Sequence, residues 1–178
     1  MILYRTIYAD PPWPEYGGGR ICRGAQAHYS LMSISEIIAL RSFIDQNTEP
    51  NCHLYLWTTN NYLPSALVVM KEWGFQYVTM ITWMKDRIGL GQYYRGITEH
   101  CLFGRKGQLP YRTLESGIRA QGATGFLAPR TAHSVKPEEM RQMIEKVSYP
   151  PRLEMFARRP ISGWHTWGAE VDKEADNG

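Results

Sequence analysis

Apolar residues in this chain come in short runs separated by longer amphipathic stretches. The runs at residues 3–9, 52–58, 77–84, 98–103 and 152–157 are rich in β-branched and aromatic residues and read as strands. Between them the spacing changes from two to that of a helix. Ser33 and Glu36 form a capping-box pattern, and Ile34, Ile37, Leu40 and Ile44 then fall on one helical face. A second helix follows Asn60 and Asn61, with Pro64 in its first turn and Leu63, Leu67 and Met70 turned inward. A third starts at Pro137 and carries Met140, Met143, Ile144 and Val147 at helical spacing. These Met and Ile stripes are core positions. Alternation of strand and helix predicts an α/β fold with a largely parallel sheet and helices on both faces.

Residues 14–27 and 104–131 fit neither period. Both are long, polar and Gly-containing for a compact domain, which marks loops with a function or loops that order on binding. At 178 residues and 43% hydrophobic content, the chain supports one well-buried core and is short for two domains. The expectation is a single domain over residues 1–171 and a frayed tail over 172–178.

Charge adds a location. Formal net charge is only +3, yet Lys85, Arg87, Arg95, Arg105, Lys106, Arg112, Arg119 and Arg130 face only Asp86, Glu99 and Glu115 in the same segment. Together with Arg20 and Arg23 of the first long loop and His28 and Tyr29 just after it, this cluster supplies candidate nucleic-acid contacts at Lys85, Arg87, Arg95, Arg105 and Lys106. Cys22, Cys52 and Cys101 are scattered, odd in number and without Cys-x-x-Cys spacing, so no disulfide framework and no metal site is expected. A reducing interior follows. With no apolar run of about 20 residues and no signal-peptide pattern, the expected setting is the cytoplasm, with no membrane partner.

The densest chemistry follows the first strand. Asp10, Pro11, Pro12 and Trp13 place a carboxylate, two residues without N–H and an indole at its end. The exocyclic amine of adenine is a poor nucleophile because its lone pair is delocalised into the ring. Acceptors on both amine hydrogens, the Asp10 carboxylate and the Pro11 carbonyl, direct that lone pair out of the plane toward an electrophile. Trp13 offers a stacking face for the base. These four are the candidate catalytic residues.

The run resembles the adenine-N6 methyltransferases of the Asp-Pro-Pro-Trp type, the family of the messenger-RNA adenine-methylation catalytic subunit and its bacterial and phage DNA-methylating relatives. The resemblance continues through His28-Tyr29, Leu56-Trp57-Thr58, Thr98-Glu99-His100-Cys101-Leu102, His133-Ser134-Val135-Lys136-Pro137 and Leu153-Glu154-Met155-Phe156-Ala157-Arg158. It implies a Rossmann-like methyltransferase fold with circularly permuted motif order and S-adenosylmethionine as methyl donor. It further implies donor contacts at Asp10, Lys136, Glu154, Arg158, Gly168 and Glu170, with Glu154 on the ribose hydroxyls and Lys136 near the donor carboxylate.

One departure stands out: Trp167-Gly168-Ala169-Glu170 has Ala169 where the family commonly has Asn, which points to weaker donor affinity or a rearranged donor site. The extension by which larger relatives reach the donor's adenine and a separate target-recognition domain are also expected to be missing, leaving recognition to the loops or to another subunit. The implied substrate is nucleic acid, DNA favoured over RNA, with the protein acting alone or in a homo- or heterodimer. A catalytically inactive nucleic-acid-binding subunit and an enzyme for free small-molecule amines are the alternatives.

Overall fold

A computed structural model describes residues 2–14, 31–89, 91, 93–108, 111–131 and 135–168. Among them seven strands form one sheet: β1 (Tyr4–Ala9), β2 (Thr48–Thr58), β3 (Gln76–Lys85), β4 (Thr98–Lys106), β5 (Gly125–Ala128), β6 (Arg152–Met155) and β7 (His165–Trp167). Their order across the sheet is β5-β3-β4-β2-β1-β6-β7. β1 runs parallel to both β2 and β6, and β5 and β7 also pair in parallel. Only β4 is reversed, antiparallel to β2 and to β3. This is an α/β Rossmann-like fold, mostly parallel. The reversal has a local cause: no helix lies between β3 and β4, and a parallel pair needs a crossover while an antiparallel pair needs only a hairpin.

Helices cover both faces. On one face lie α1 (Ile34–Ala39), α2 (Arg41–Asn47) and α3 (Leu63–Glu72), preceded by a 3-10 turn over Asn60–Tyr62. Ile37, Ile44, Ala66, Val69 and Met70 pack there against Ile7, Ala9, Leu54, Leu56, Leu102, Leu153 and Met155. The other face holds α4 (Glu138–Val147), whose fully buried Met140 and Ile144 meet Tyr8, Tyr55, Trp57, Ile81, Trp83 and Cys101. Burial on both sides explains why β1 and the second half of β2 read as continuous apolar runs.

The Ser33 capping box is present: the Glu36 N–H donates to Ser33 Oγ at 3.2 Å and the Ser33 N–H donates to the Glu36 carboxylate at 2.7 Å. The single helix expected there is two, because the Leu40 N–H turns back to the Ile37 carbonyl and closes α1 before α2 begins. Leu67, expected inward, is 39% exposed, and Ala66 and Val69 take the buried positions of α3. β5 and β7 were absent from the expected strands. Among the described residues no helix is long and apolar enough to cross a membrane.

Alternation along the strands sorts side chains by face. Apolar Ile7, Ala9, Leu54 and Leu56 meet α1–α3, whereas Tyr8, Trp57, Cys101 and Trp83 belong to the α4 side. Polar chemistry gathers on that second face, at the edge where the parallel strands end and reversed β4 begins. β1 is also where the topology turns, since β2 leads away on one side and β6 returns on the other. Ligands of open α/β sheets bind at such a switch point.

Candidate active site

Asp10 is the first residue beyond β1, at that switch point. Its Oδ2 accepts a hydrogen bond from Lys136 Nζ at 2.7 Å. Lys136 also lies 3.5 Å from Glu99 Oε2, and Lys85 Nζ donates to Glu99 Oε1 at 2.5 Å. Four charges thus form one chain, Asp10–Lys136–Glu99–Lys85, drawn from the ends of β1 and β3, the start of β4 and the approach to α4. Lys136 sits over the Trp57 ring at 5.3 Å and is nearly buried, whereas 28% of the Asp10 side chain stays exposed. The carboxylate is therefore anchored and still reachable.

Electrostatics follow from this packing. Burial pushes the Asp10 carboxyl up from its ordinary value near 3.8, and Lys136 pulls part of that back. Arg158 adds a smaller pull in the same direction, so it lies within electrostatic reach of the site. Desolvation alone would lower Lys136, but the Asp10 and Glu99 carboxylates outweigh it and hold the ammonium above its ordinary value. For Glu99 desolvation acts upward, and Lys136 and Lys85 together hold it below its usual range.

The Pro-Pro segment is set by a tight turn. The Trp13 N–H donates to the Pro11 carbonyl at 2.9 Å, and the Met32 N–H donates to the Pro12 carbonyl at 2.9 Å. A carbonyl oxygen has two lone pairs, so Pro11 keeps one for a further donor. Trp13 is placed differently from expectation. It is 8% exposed, its indole N–H donates to the Trp57 carbonyl at 3.0 Å, and its ring lies nearly parallel to Tyr62 at 5.8 Å. The indole anchors the turn in the core, with one face taken by Tyr62 instead of left open for a base.

Glu154 in β6 stands beside Tyr8 of β1. Arg141 of α4 grips it in bidentate fashion, Nε to Oε2 and a terminal nitrogen to Oε1, both at 2.9 Å, and also bonds Glu138 at 2.6 Å. The carboxylate expected to be free for ribose hydroxyls is already oriented by an arginine, and any hydroxyl would use its remaining lone pairs. Gly168 is needed where it stands: a Cβ there would meet the Ala157 carbonyl oxygen at 2.4 Å, so its backbone presses on the chain leaving β6.

Three basic expectations are corrected. Lys85 is committed to Glu99 and is only 16% exposed. Arg105 and Lys106 end β4 at the opposite edge of the sheet, about 27 Å from Thr98 at a rise of ~3.4 Å per residue. There Lys106 bonds Asp45 at 3.0 Å, and Arg105 approaches Gln76. Arg87 and Arg95 lie on the β3–β4 connection, two residues after Lys85 and three before Thr98. Arg20, Arg23, His28, Tyr29, Ala169 and Glu170 lie outside the described residues.

Sequence reasoning missed Glu99, Tyr62 and Arg141 as members of the site. The signal for Glu99 was present, since it is a carboxylate opening an otherwise apolar strand. Among the described residues no three His, Cys, Asp or Glu side chains converge to hold a metal.

An acid at the end of a central parallel strand, set by a proline turn at a topological switch point, defines a methyltransferase of the Rossmann-like class. The chain belongs to the MT-A70 family, whose model matches residues 4–170. It is 29% identical to the Type II methyltransferase M.MunI of Mycoplasma sp, over 94% of this chain and 78% of that protein. It is 30% identical to the N6-methyladenosine RNA methyltransferase MTA1 of Cryphonectria parasitica, over 96% of this chain and 52% of that protein. Similarity extends to the human N(6)-adenosine-methyltransferase catalytic subunit METTL3, 26% identical over 95% of this chain but 28% of the relative. The chain thus spans only about half of the fungal protein and about a quarter of the human one.

MT-A70 methyltransferases use S-adenosylmethionine as methyl donor. The residues present fit it. Its amino-acid end is a zwitterion, and Asp10 and Lys136, 2.7 Å apart, present the complementary carboxylate and ammonium.

Proposed function

We propose that this protein methylates the N6 amine of adenine in nucleic acid, with residues 1–171 acting as one methyltransferase domain. The single observation carrying this reading is the Asp10 carboxylate, fixed by Lys136 and partly exposed, at the end of β1. The MT-A70 match and the adenosine-methylating relatives support the choice of base.

Asp10 and the Pro11 carbonyl accept the two amine hydrogens, so the nitrogen lone pair projects from the ring plane. As positive charge grows on that nitrogen, the Asp10 carboxylate stabilises it, and the group is already in place when reaction begins. The surplus proton of the amine would leave toward the Asp10 carboxylate, which is partly exposed and fixed by Lys136. Trp13 contributes by locking the turn that aims the Pro11 carbonyl. Lys136 and Glu154 hold the donor, and Arg141 keeps Glu154 in one rotamer. S-adenosylmethionine supplies the electrophilic methyl group when bound.

DNA is favoured over RNA. Similarity to the Type II methyltransferase M.MunI supports that choice. The test is methyl transfer to mixed DNA and RNA oligonucleotides read by modified-base mass spectrometry. N6-methyladenine appearing in DNA first is expected, whereas modified RNA alone reverses the preference and modification of free nucleosides alone overturns the polymer substrate.

Glu154→Gln should weaken donor binding in calorimetry by about tenfold, since a charge-assisted acceptor becomes neutral and Arg141 is left with Glu138 as its ion-pair partner. Transfer at saturating donor should fall much less. Unchanged donor affinity would remove Glu154 from the donor site.

A further inference from the structure

We propose that the hairpin arm between β3 and β4 grips single-stranded nucleotides flanking the target base by stacking them on Tyr93 and Tyr94. The inference rests on the nucleic-acid substrate proposed above and adds a binding site to it.

Tyr93 and Tyr94 are each 94% exposed, the most open large hydrophobic residues among those described. Two neighbouring aromatic rings held in water forgo the burial that such rings ordinarily gain, and exposed apolar surface of this size marks a contact site. The segment carrying them is a built hairpin. The Lys85 N–H donates to the Ile97 carbonyl at 2.8 Å, the Gly89 N–H to the Gly96 carbonyl at 2.6 Å, and Arg95 Nε to the Gly89 carbonyl at 2.9 Å. At Gly91 a Cβ would meet the Tyr94 carbonyl oxygen at 2.0 Å, so only glycine lets the two sides close behind the tyrosines.

Charge selects the partner. Arg95 and Arg87 are exposed on the same arm, Arg87 with 79% of its side chain open. Of the acids at the arm, Glu99 is held by Lys85 and Lys136, and Asp86 accepts the Arg130 N–H at 2.8 Å and lies 3.4 Å from Arg87. Aromatic faces beside exposed guanidinium groups suit bases and phosphates of an unpaired strand, where every base has a face to offer.

Position ties the arm to the reaction. Lys85 and Glu99 form its base, and both belong to the ion-pair chain that ends on Asp10. Tyr94 is four residues before Thr98, a reach of at most about 14 Å from the site edge. The arm therefore meets neighbouring nucleotides and leaves the target base to Asp10.

The experiment compares wild-type protein with the double variant Tyr93→Ala, Tyr94→Ala by fluorescence anisotropy on labelled single-stranded DNA and RNA. Donor binding by calorimetry and sedimentation are run beside it. Affinity for oligonucleotides should fall at least tenfold, as expected when base stacking on an aromatic ring is lost, with donor binding and sedimentation unchanged. The Phe, Phe double variant should recover most of the affinity because the rings remain. Equal oligonucleotide affinity in wild type and the Ala, Ala variant overturns the inference while leaving the proposed reaction standing. A changed oligomeric state in the Ala, Ala variant also overturns it and assigns the arm to a protein neighbour. Failure of the wild type to bind any oligonucleotide would overturn the substrate reading together with this one.

Discussion

Replacing Asp10 by asparagine is expected to lower the rate of methyl transfer by about a thousandfold, the upper end of what removing one preorganised electrostatic partner costs. The amide has nearly the same shape, so the loss is electrostatic. It removes the negative charge facing the developing ammonium and puts an NH2 where an acceptor is needed. Folding should survive, because Lys136 keeps Glu99 as a partner at 3.5 Å. Single-turnover transfer measured beside thermal unfolding separates the two effects, and a fall below tenfold would remove Asp10 from the chemistry. The same group sets a pH dependence. Transfer needs the carboxylate, and burial holds its pKa above the ordinary 3.8. The acid limb of kcat/KM should therefore lie above that value, with activity lost as pH falls through it.

Asp10 was legible because its whole signal is local: four consecutive residues after an apolar strand. The Ser33 capping box and the α4 stripe of Met140 and Ile144 were legible for the same reason, since each is written within one or two helical turns. What escaped depends on distant parts of the chain. Lys136 reaches Asp10 across 126 positions, and nothing in the spacing of either residue announces that contact. Arg141 carries no signal of its own in the helix pattern, and only the sheet places Glu154 within its reach. β5 and β7, four and three residues long, are edge strands too short to show a period of two. The direction of β4 was readable in principle, because no helical pattern lies between residues 85 and 98. Trp13 shows the limit in the other direction: its chemistry suited a stacking platform, but the same ring also suits a core, and only the neighbouring Tyr62 decides which.

Lys136→Met is the substitution with the largest expected effect on the molecule as a whole, because one ammonium neutralises two carboxylates. Removing one partner of a buried ion pair typically costs about 3–5 kcal/mol, and for a chain of this size that lowers the unfolding midpoint by about 10 °C. The sign of the pH dependence identifies the cause. In the wild type, Lys136 is held above its ordinary 10.5, so its contribution is complete below that value and fades only as pH rises through the folded pKa. Glu99, held below its ordinary 4.5, contributes above that value and loses its contribution as pH falls through the folded pKa. Both are therefore in force throughout the neutral range. Without Lys136, Asp10 keeps its burial and loses its main counter-charge, and its pKa rises further. An acid with a raised folded pKa costs stability above its unfolded value and regains it on protonation. The deficit of the variant should accordingly be largest near pH 8 and shrink toward pH 5, as followed by thermal unfolding across that range. A deficit independent of pH would mean that the lysine acts through packing on Trp57 alone. The acid limb of any residual transfer should move upward with Asp10, which joins the stability measurement and the reaction at one carboxylate.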